Sequence, residues 1–162
     1  MDALEIARGV MIKEADCLKT AANGLGDPFL AILDALMSCE GKAILIGMGK
    51  SGHVARKVAA TLSSLGTCSV CLHPSECLHG DLGMVQERDV VVLISYSGES
   101  EEIVRLVPGL KRIGARLVGI TGNPDSTLAR SCEIVQVFEG VEEACHLGLA
   151  PTSSTTLAMA YG

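Results

Sequence analysis

Aromatic side chains are almost missing from this sequence. Its 162 residues include no tryptophan, two tyrosines and two phenylalanines, although 48% of the chain is hydrophobic. A core of stacked rings is excluded, and the interior must be filled by Val, Ile, Leu, Ala and Met, the usual contents of a parallel sheet covered by helices. Positive charge is scarce too. A net charge of −6 and a pI near 5.2 leave no basic stripe for nucleic acid or an anionic membrane, so any bound anion must be held by local donors. Long apolar runs are lacking, and none approaches the ~20 residues that a membrane helix needs.

Nothing at the N-terminus reads as a signal peptide, and the seven cysteines, an odd number, follow no framework spacing. We therefore expect a soluble protein in a reducing cytoplasm. Cys68 and Cys71 form a C-x-x-C inside a strand-like run, where residues three apart point to opposite faces, which argues against a zinc site. There is no linker, low-complexity tract or internal repeat. The length suits one domain with a sizeable core.

Residues 3–23 and 27–40 carry apolar positions at helical spacing, with Asp27-Pro28 as cap and first-turn proline of the second helix. After this helical preface of residues 1–40, the period changes over residues 41–162. Lys42–Gly47, Cys68–Leu72, Asp89–Ser95, Arg116–Thr121 and Glu133–Phe138 are short β-branched runs, separated by helix-compatible stretches such as Gly52–Leu65 and Glu99–Ile113. Alternating strands and helices predict an α/β fold: a three-layer, doubly wound parallel sheet with flavodoxin-like strand order.

Two phosphate-binding signatures overlap in Ile44 to His53, ILIGMGKSGH. A P-loop requires glycine at position 44, where Ile44 stands. A dinucleotide site fits Gly47, Gly49 and Gly52 but needs an acid at the tip of the second strand, and that strand ends in His73-Pro74. Both nucleotide readings are disfavoured. What remains is a tight strand-to-helix turn with a lysine in it.

In a doubly wound sheet ligands lie beyond the carboxyl ends of the strands. The richest of these tips is Ser95-Tyr96-Ser97-Gly98-Glu99-Ser100. Ser95, Ser97 and Ser100 supply hydroxyls, Gly98 lets the backbone turn, and the next helix offers free N–H groups and the positive end of its dipole. A helix cap uses one hydroxyl, and three are present, which favours a phosphate cradle. A second cluster, Pro151 to Thr156, opens the last helix and either caps it or adds donors through Thr152 and Ser153.

These stretches together resemble the sugar isomerase (SIS) domain family, and within it the arabinose 5-phosphate isomerases. The resemblance runs in order through Gly47 to His53, His73-Pro74, His79 to Met84, Ser95 to Ile103, Ile120-Thr121-Gly122, Glu143-Ala144-Cys145 and Leu147 to Thr156. It implies a SIS fold and reversible conversion of D-ribulose 5-phosphate to D-arabinose 5-phosphate, supplying Kdo synthesis for lipopolysaccharide or capsule. It also implies a homotetramer with sites between subunits, and no cofactor. Larger members carry a CBS pair after the SIS domain. We expect a single SIS domain without that pair, ending at Gly162 short of a segment that carries a further catalytic histidine in the family.

Moving a carbonyl between C1 and C2 requires a base for a carbon-bound proton, an electrophile for the enediolate, and a proton shuttle between two oxygens. By resemblance the catalytic positions are Lys50, Glu102 and Glu143. Lys50 is assigned to enediolate stabilisation, with Ser51 beside it as a substrate contact. Glu143, in an irregular stretch, is the first choice for the base. Glu102 is the second, because an acid in a first helical turn is stabilising anywhere, and Glu99 and Glu101 share that reading. Glu142 reads as a solvated charge. His73 and His79 flank a short helical turn, where they cap or pack; the resemblance makes both substrate contacts and allows an inhibitory zinc at His73. Gly66-Thr67 matches a substrate-contact position and equally reads as a helix stop. His53 and His146 read as structural. Two other function classes stay open: a SIS-type module that senses a phosphosugar or sugar nucleotide without catalysis, and an NAD-dependent enzyme, which the missing ribose acid disfavours.

Overall fold

The computed structural model describes residues 2–138 and 141–162. In chain order the elements are α1 (Ala3–Asn23), α2 (Asp27–Met37), β1 (Ala43–Gly47), α3 (Lys50–Ser64), β2 (Ser69–Leu72), α4 (Pro74–Leu78), a 3₁₀ turn (Asp81–Met84), β3 (Val90–Ile94), α5 (Glu101–Ile113), β4 (Arg116–Thr121), α6 (Thr127–Ser131), β5 (Ile134–Val137) and α7 (Ser153–Tyr161). A capping box between Asp2 and Glu5 starts α1. The second helix departs from expectation: Gly26 occupies the cap, so Asp27 lies inside the first turn and acts on the dipole instead.

The five strands pair in the order β2-β1-β3-β4-β5, all parallel, which is the expected flavodoxin-like arrangement. Strand parity sorts the aliphatic residues into two cores. Ala43, Leu45, Val90, Val92, Val118 and Ile120 face one layer with Val54, Ala55 and Val58 of α3 and Leu157 of α7. Ile44, Ile46, Val91, Leu93 and Leu117 face the other, against Ile103, Leu106 and Leu110 of α5. Burial on both faces is why these strands read as continuous apolar runs rather than alternating ones.

The order reverses between β1 and β3, whose ladder runs from Ala43↔Val90 to Gly47↔Ile94, so both strands stop level. Here one crossover leaves each face of the sheet and opens a crevice at the carboxyl ends. Among the described residues no helix is long and apolar enough to cross a membrane.

Candidate active site

A cavity of about 330 Å³ fills this crevice. It is lined by Met48, Lys50 and Ser51 after β1, Ile94 to Ser97 and Ser100 after β3, Phe138 after β5, and Pro151, Ser154, Thr155 and Ala158 around α7. Lys50 is the only charged side chain among these residues. In a chain of net charge −6, such a lining suits an anion.

The glycine turn shapes one wall. A Cβ on Gly47 would lie 2.6 Å from the Ser51 carbonyl, one on Gly52 would lie 2.6 Å from Gly47 O, and Gly49 has φ 57°. The glycines therefore let α3 start against β1, two residues earlier than expected, and bring Lys50 and Ser51 into its first turn. Gly49 has no side chain to cap that helix.

The serine loop, after the neighbouring strand β3, forms another part of the lining. Ser95 Oγ accepts from Gly98 N at 3.2 Å and lies 2.9 Å from Ser100 Oγ, while Ser97 Oγ accepts from Glu99 N at 3.2 Å. One proton is spent within the Ser95–Ser100 pair, so the Ser97 hydroxyl and one hydroxyl of that pair keep protons to donate. Ser100 is the cap residue of α5, yet its side chain makes no cap bond, so the α5 terminus stays open. Gly98 holds the loop shut: φ is 67°, and a Cβ there would lie 2.1 Å from Ser126 Oγ and 2.8 Å from Thr121 Oγ1. Glu99 differs from expectation. It precedes α5, and its Oε1 accepts from Thr127 N at 2.7 Å to cap α6.

The third helix terminus is treated differently. Glu143 Oε2 accepts from Thr152 N at 2.6 Å, Thr152 Oγ1 at 2.9 Å and Ser154 N at 3.4 Å, and Thr152 Oγ1 accepts from Ala144 N at 2.7 Å. Burial pushes the Glu143 carboxyl up, but the Ser154 hydroxyl and the Thr152 and Ser154 donors outweigh it and hold the group below the usual range, ionised. A carboxylate thus occupies the α7 terminus, while α3 and α5 present theirs without side-chain caps. Helix α1 clamps this region from outside. Lys13 pairs with Glu142, which is exposed as expected but not unpartnered, and Glu14 Oε2 accepts from Thr156 Oγ1 at 2.8 Å.

Of the residues singled out in the sequence, Lys50, Ser51, Ser95, Ser97 and Ser100 line one cavity, with Gly98 packed behind them. Glu143 and Thr152 lie outside the lining but are bonded to it through Ser154. Ser153 is fully buried and its Oγ finds no partner among the described residues. Glu102, in the first turn of α5, is not in the lining. His73 caps α4, its Nδ1 accepting from Ser75 N at 3.3 Å, and lines a separate cavity of about 210 Å³ with His53 and Arg56. His79 ends α4 and is exposed. Gly66 and Thr67 follow the far end of α3, beyond a helix of 15 residues, about 22 Å long, and do not reach the cavity of their own chain. Tyr96, Ser154 and Thr155 line the cavity without having been singled out; the two hydroxyl clusters quoted above contain all three.

A family model described as SIS domain matches residues 36–162. The chain belongs to the SIS domain family. It is 46% identical to the arabinose 5-phosphate isomerase KdsD of Shigella flexneri over 161 residues, covering 99% of this chain and 49% of that protein. Identity to the arabinose 5-phosphate isomerase KpsF of Escherichia coli O6:H1 is 53% over 131 residues, 81% of this chain and 40% of that protein. This SIS domain spans about half the length of the curated relatives it matches. Among solved structures, an Escherichia coli CFT073 protein in complex with arabinose 5-phosphate aligns with a TM-score of 0.92 and 39% identity, over 99% of this chain and 89% of that one.

Proposed function

We propose that this SIS domain is an aldose–ketose isomerase that interconverts D-ribulose 5-phosphate and D-arabinose 5-phosphate through an enediolate. One observation carries the reading: a cavity with a single cation, three serines on an uncapped helix terminus, and an ionised carboxylate tied to its wall. The names of the relatives supply the substrate.

The phosphate sits on Ser95, Ser97, Ser100 and the α5 terminus. Glu143 removes the proton from C2 of the aldose, or from C1 of the ketose, and the electron pair moves into the carbonyl. Lys50 steadies the resulting oxyanion. The proton returns to the neighbouring carbon, the hydroxyl proton crosses between O1 and O2, and oxidation at one carbon balances reduction at the other. No external redox group is required.

The domain acts in the cytoplasm, binds no nucleic acid, and supplies Kdo synthesis for lipopolysaccharide or capsule. It works as a homotetramer with sites between subunits. Exposed Leu30, Leu33 and Met37 form an apolar stripe on α2, suited to a second copy. Gly66, Thr67 and His79, distant from their own cavity or exposed, contribute to a neighbour's. His73 takes zinc only as an inhibitor.

A coupled assay with D-ribulose 5-phosphate tests the proposal. Formation of D-arabinose 5-phosphate is expected; binding of the sugar phosphate without turnover would instead make the domain a sensor.

A further inference from the structure

Three of the chain's four aromatic side chains form one stack. Tyr96 and Phe138 lie with ring centroids 6.0 Å apart, and Phe138 and Tyr161 5.6 Å apart. Phe138 belongs to one of the two cores and Tyr161 packs against it, so the stack joins that core to the cavity. Phe138 is buried at 4% exposure, but Tyr96, the end member, is 42% exposed and lines the cavity.

Tyr96 is fixed from several sides. Its carbonyl accepts from Gly122 N at 2.8 Å and from Thr121 Oγ1 at 3.2 Å. Its ring packs against Gly122, just past the end of β4, where a Cβ would come within 2.5 Å of Cε2. Its hydroxyl has no hydrogen-bond partner among the described residues. Burial, and then the charges of Glu143 and Cys17, push the phenol above its ordinary range, so it stays a neutral donor.

Its position sets what it meets. In sequence it stands between Ser95 and Ser97, which hold one end of the ligand. Glu143, bonded to Ser154 of the same lining, marks the other end. A phosphorylated open-chain sugar laid between these two passes the phenol at its middle carbons.

We propose that Tyr96 determines specificity by donating its hydroxyl to one of the mid-chain hydroxyl oxygens of the bound sugar phosphate, between the phosphate and the reacting carbons. The proposal rests on the isomerase reading for the identity of the sugar. Tyr96 takes no part in proton transfer at C1 or C2. It reads whether the chain carries a hydroxyl at the right place.

The test compares the wild type with Tyr96→Phe, which keeps the ring stack and removes only the hydroxyl. Affinities for inorganic phosphate, D-arabinose 5-phosphate and its 3-deoxy and 4-deoxy analogues are measured by calorimetry, alongside kcat/KM. Tyr96→Phe should bind phosphate like the wild type, lose about tenfold in affinity for D-arabinose 5-phosphate, the scale of one hydrogen bond, and show no loss for one deoxy analogue. Equal losses on all three sugars, a loss on phosphate, or no loss at all would overturn the proposal. If the wild type binds the sugar without turnover, the isomerase reading fails while the affinity ratios still decide Tyr96. If turnover is normal and the variant discriminates as before, only the Tyr96 proposal fails. A wild type that binds no sugar phosphate sinks both.

Discussion

Thr152 gives both its N–H, at 2.6 Å, and its hydroxyl, at 2.9 Å, to one oxygen of Glu143 nine residues earlier in the chain. A general base works best with a pKa near the operating pH, yet these bonds push Glu143 the other way. What they provide is a carboxylate kept ionised and held in one place, so that on the proposed reading the proton is drawn off by position rather than by basicity.

Thr152→Val should expose that exchange. Valine keeps the N–H but removes the hydroxyl's bonds to Glu143 and Ala144, at a cost of about 1–3 kcal/mol in stability. Bonds to the ionised form are lost, so the Glu143 pKa rises towards its ordinary value. The acidic limb of the kcat/KM profile should therefore move to higher pH in the variant. An acidic limb that stays at the same pH would remove Glu143 from the proton-transfer step.

A second carboxylate, at the amino end of the sheet, is purely structural. Asp89, 1% exposed, accepts from Lys42 Nζ at 2.7 Å, Lys42 N at 2.9 Å and Gln86 N at 2.8 Å. Burial raises its pKa, but the Lys42 and Gln86 bonds outweigh burial and leave it below the ordinary 3.8. Because folding lowers this pKa, the pair contributes stability above the unfolded value and loses it as pH falls through the folded one. Asp89→Asn should cost about 3 kcal/mol at pH 7 by stranding Lys42, and should flatten the acid limb of stability below about pH 4. Thermal unfolding between pH 3 and 8 measures both. A variant as stable as the wild type at pH 7 would contradict this assignment.

The sheet can be read from the chain because each strand is buried on both faces. Arg116–Thr121 has the same bounds in the sequence pattern and in the fold, and the other strands shift by a residue or so at their ends. The start of α3 is misread because glycines at 47, 49 and 52 look like an extended turn, whereas their missing Cβ atoms let the helix begin at Lys50. The serine cradle is legible for a local reason: Ser95 to Ser100 lie on one loop. The tie of Glu143 to α7 is not, since it depends on how residues 141–152 fold back. Tyr96 is hidden in the sequence because its ring packs against Gly122, just past the end of β4 and 26 residues away.

Lys50 poses the sharpest question, since the one cation in the cavity lining could serve the phosphate or the reacting oxygens. These roles differ kinetically. Losing a ground-state contact raises KM and spares kcat, whereas losing a contact made only in the transition state lowers kcat. On the proposed reading the phosphate is already provided for: Ser97 and one of the Ser95–Ser100 pair have protons to donate, and the α5 terminus carries no side-chain cap. Lys50 lines the same cavity from the first turn of α3, not from the serine loop, and is assigned to charge that develops elsewhere on the sugar. Lys50→Met should therefore lower kcat by about 10² or more, the scale of one oxyanion donor, with little change in the affinity for inorganic phosphate. Should the variant turn over normally at saturating substrate while its KM climbs, Lys50 holds the phosphate, and the sugar lies in the cavity the other way round.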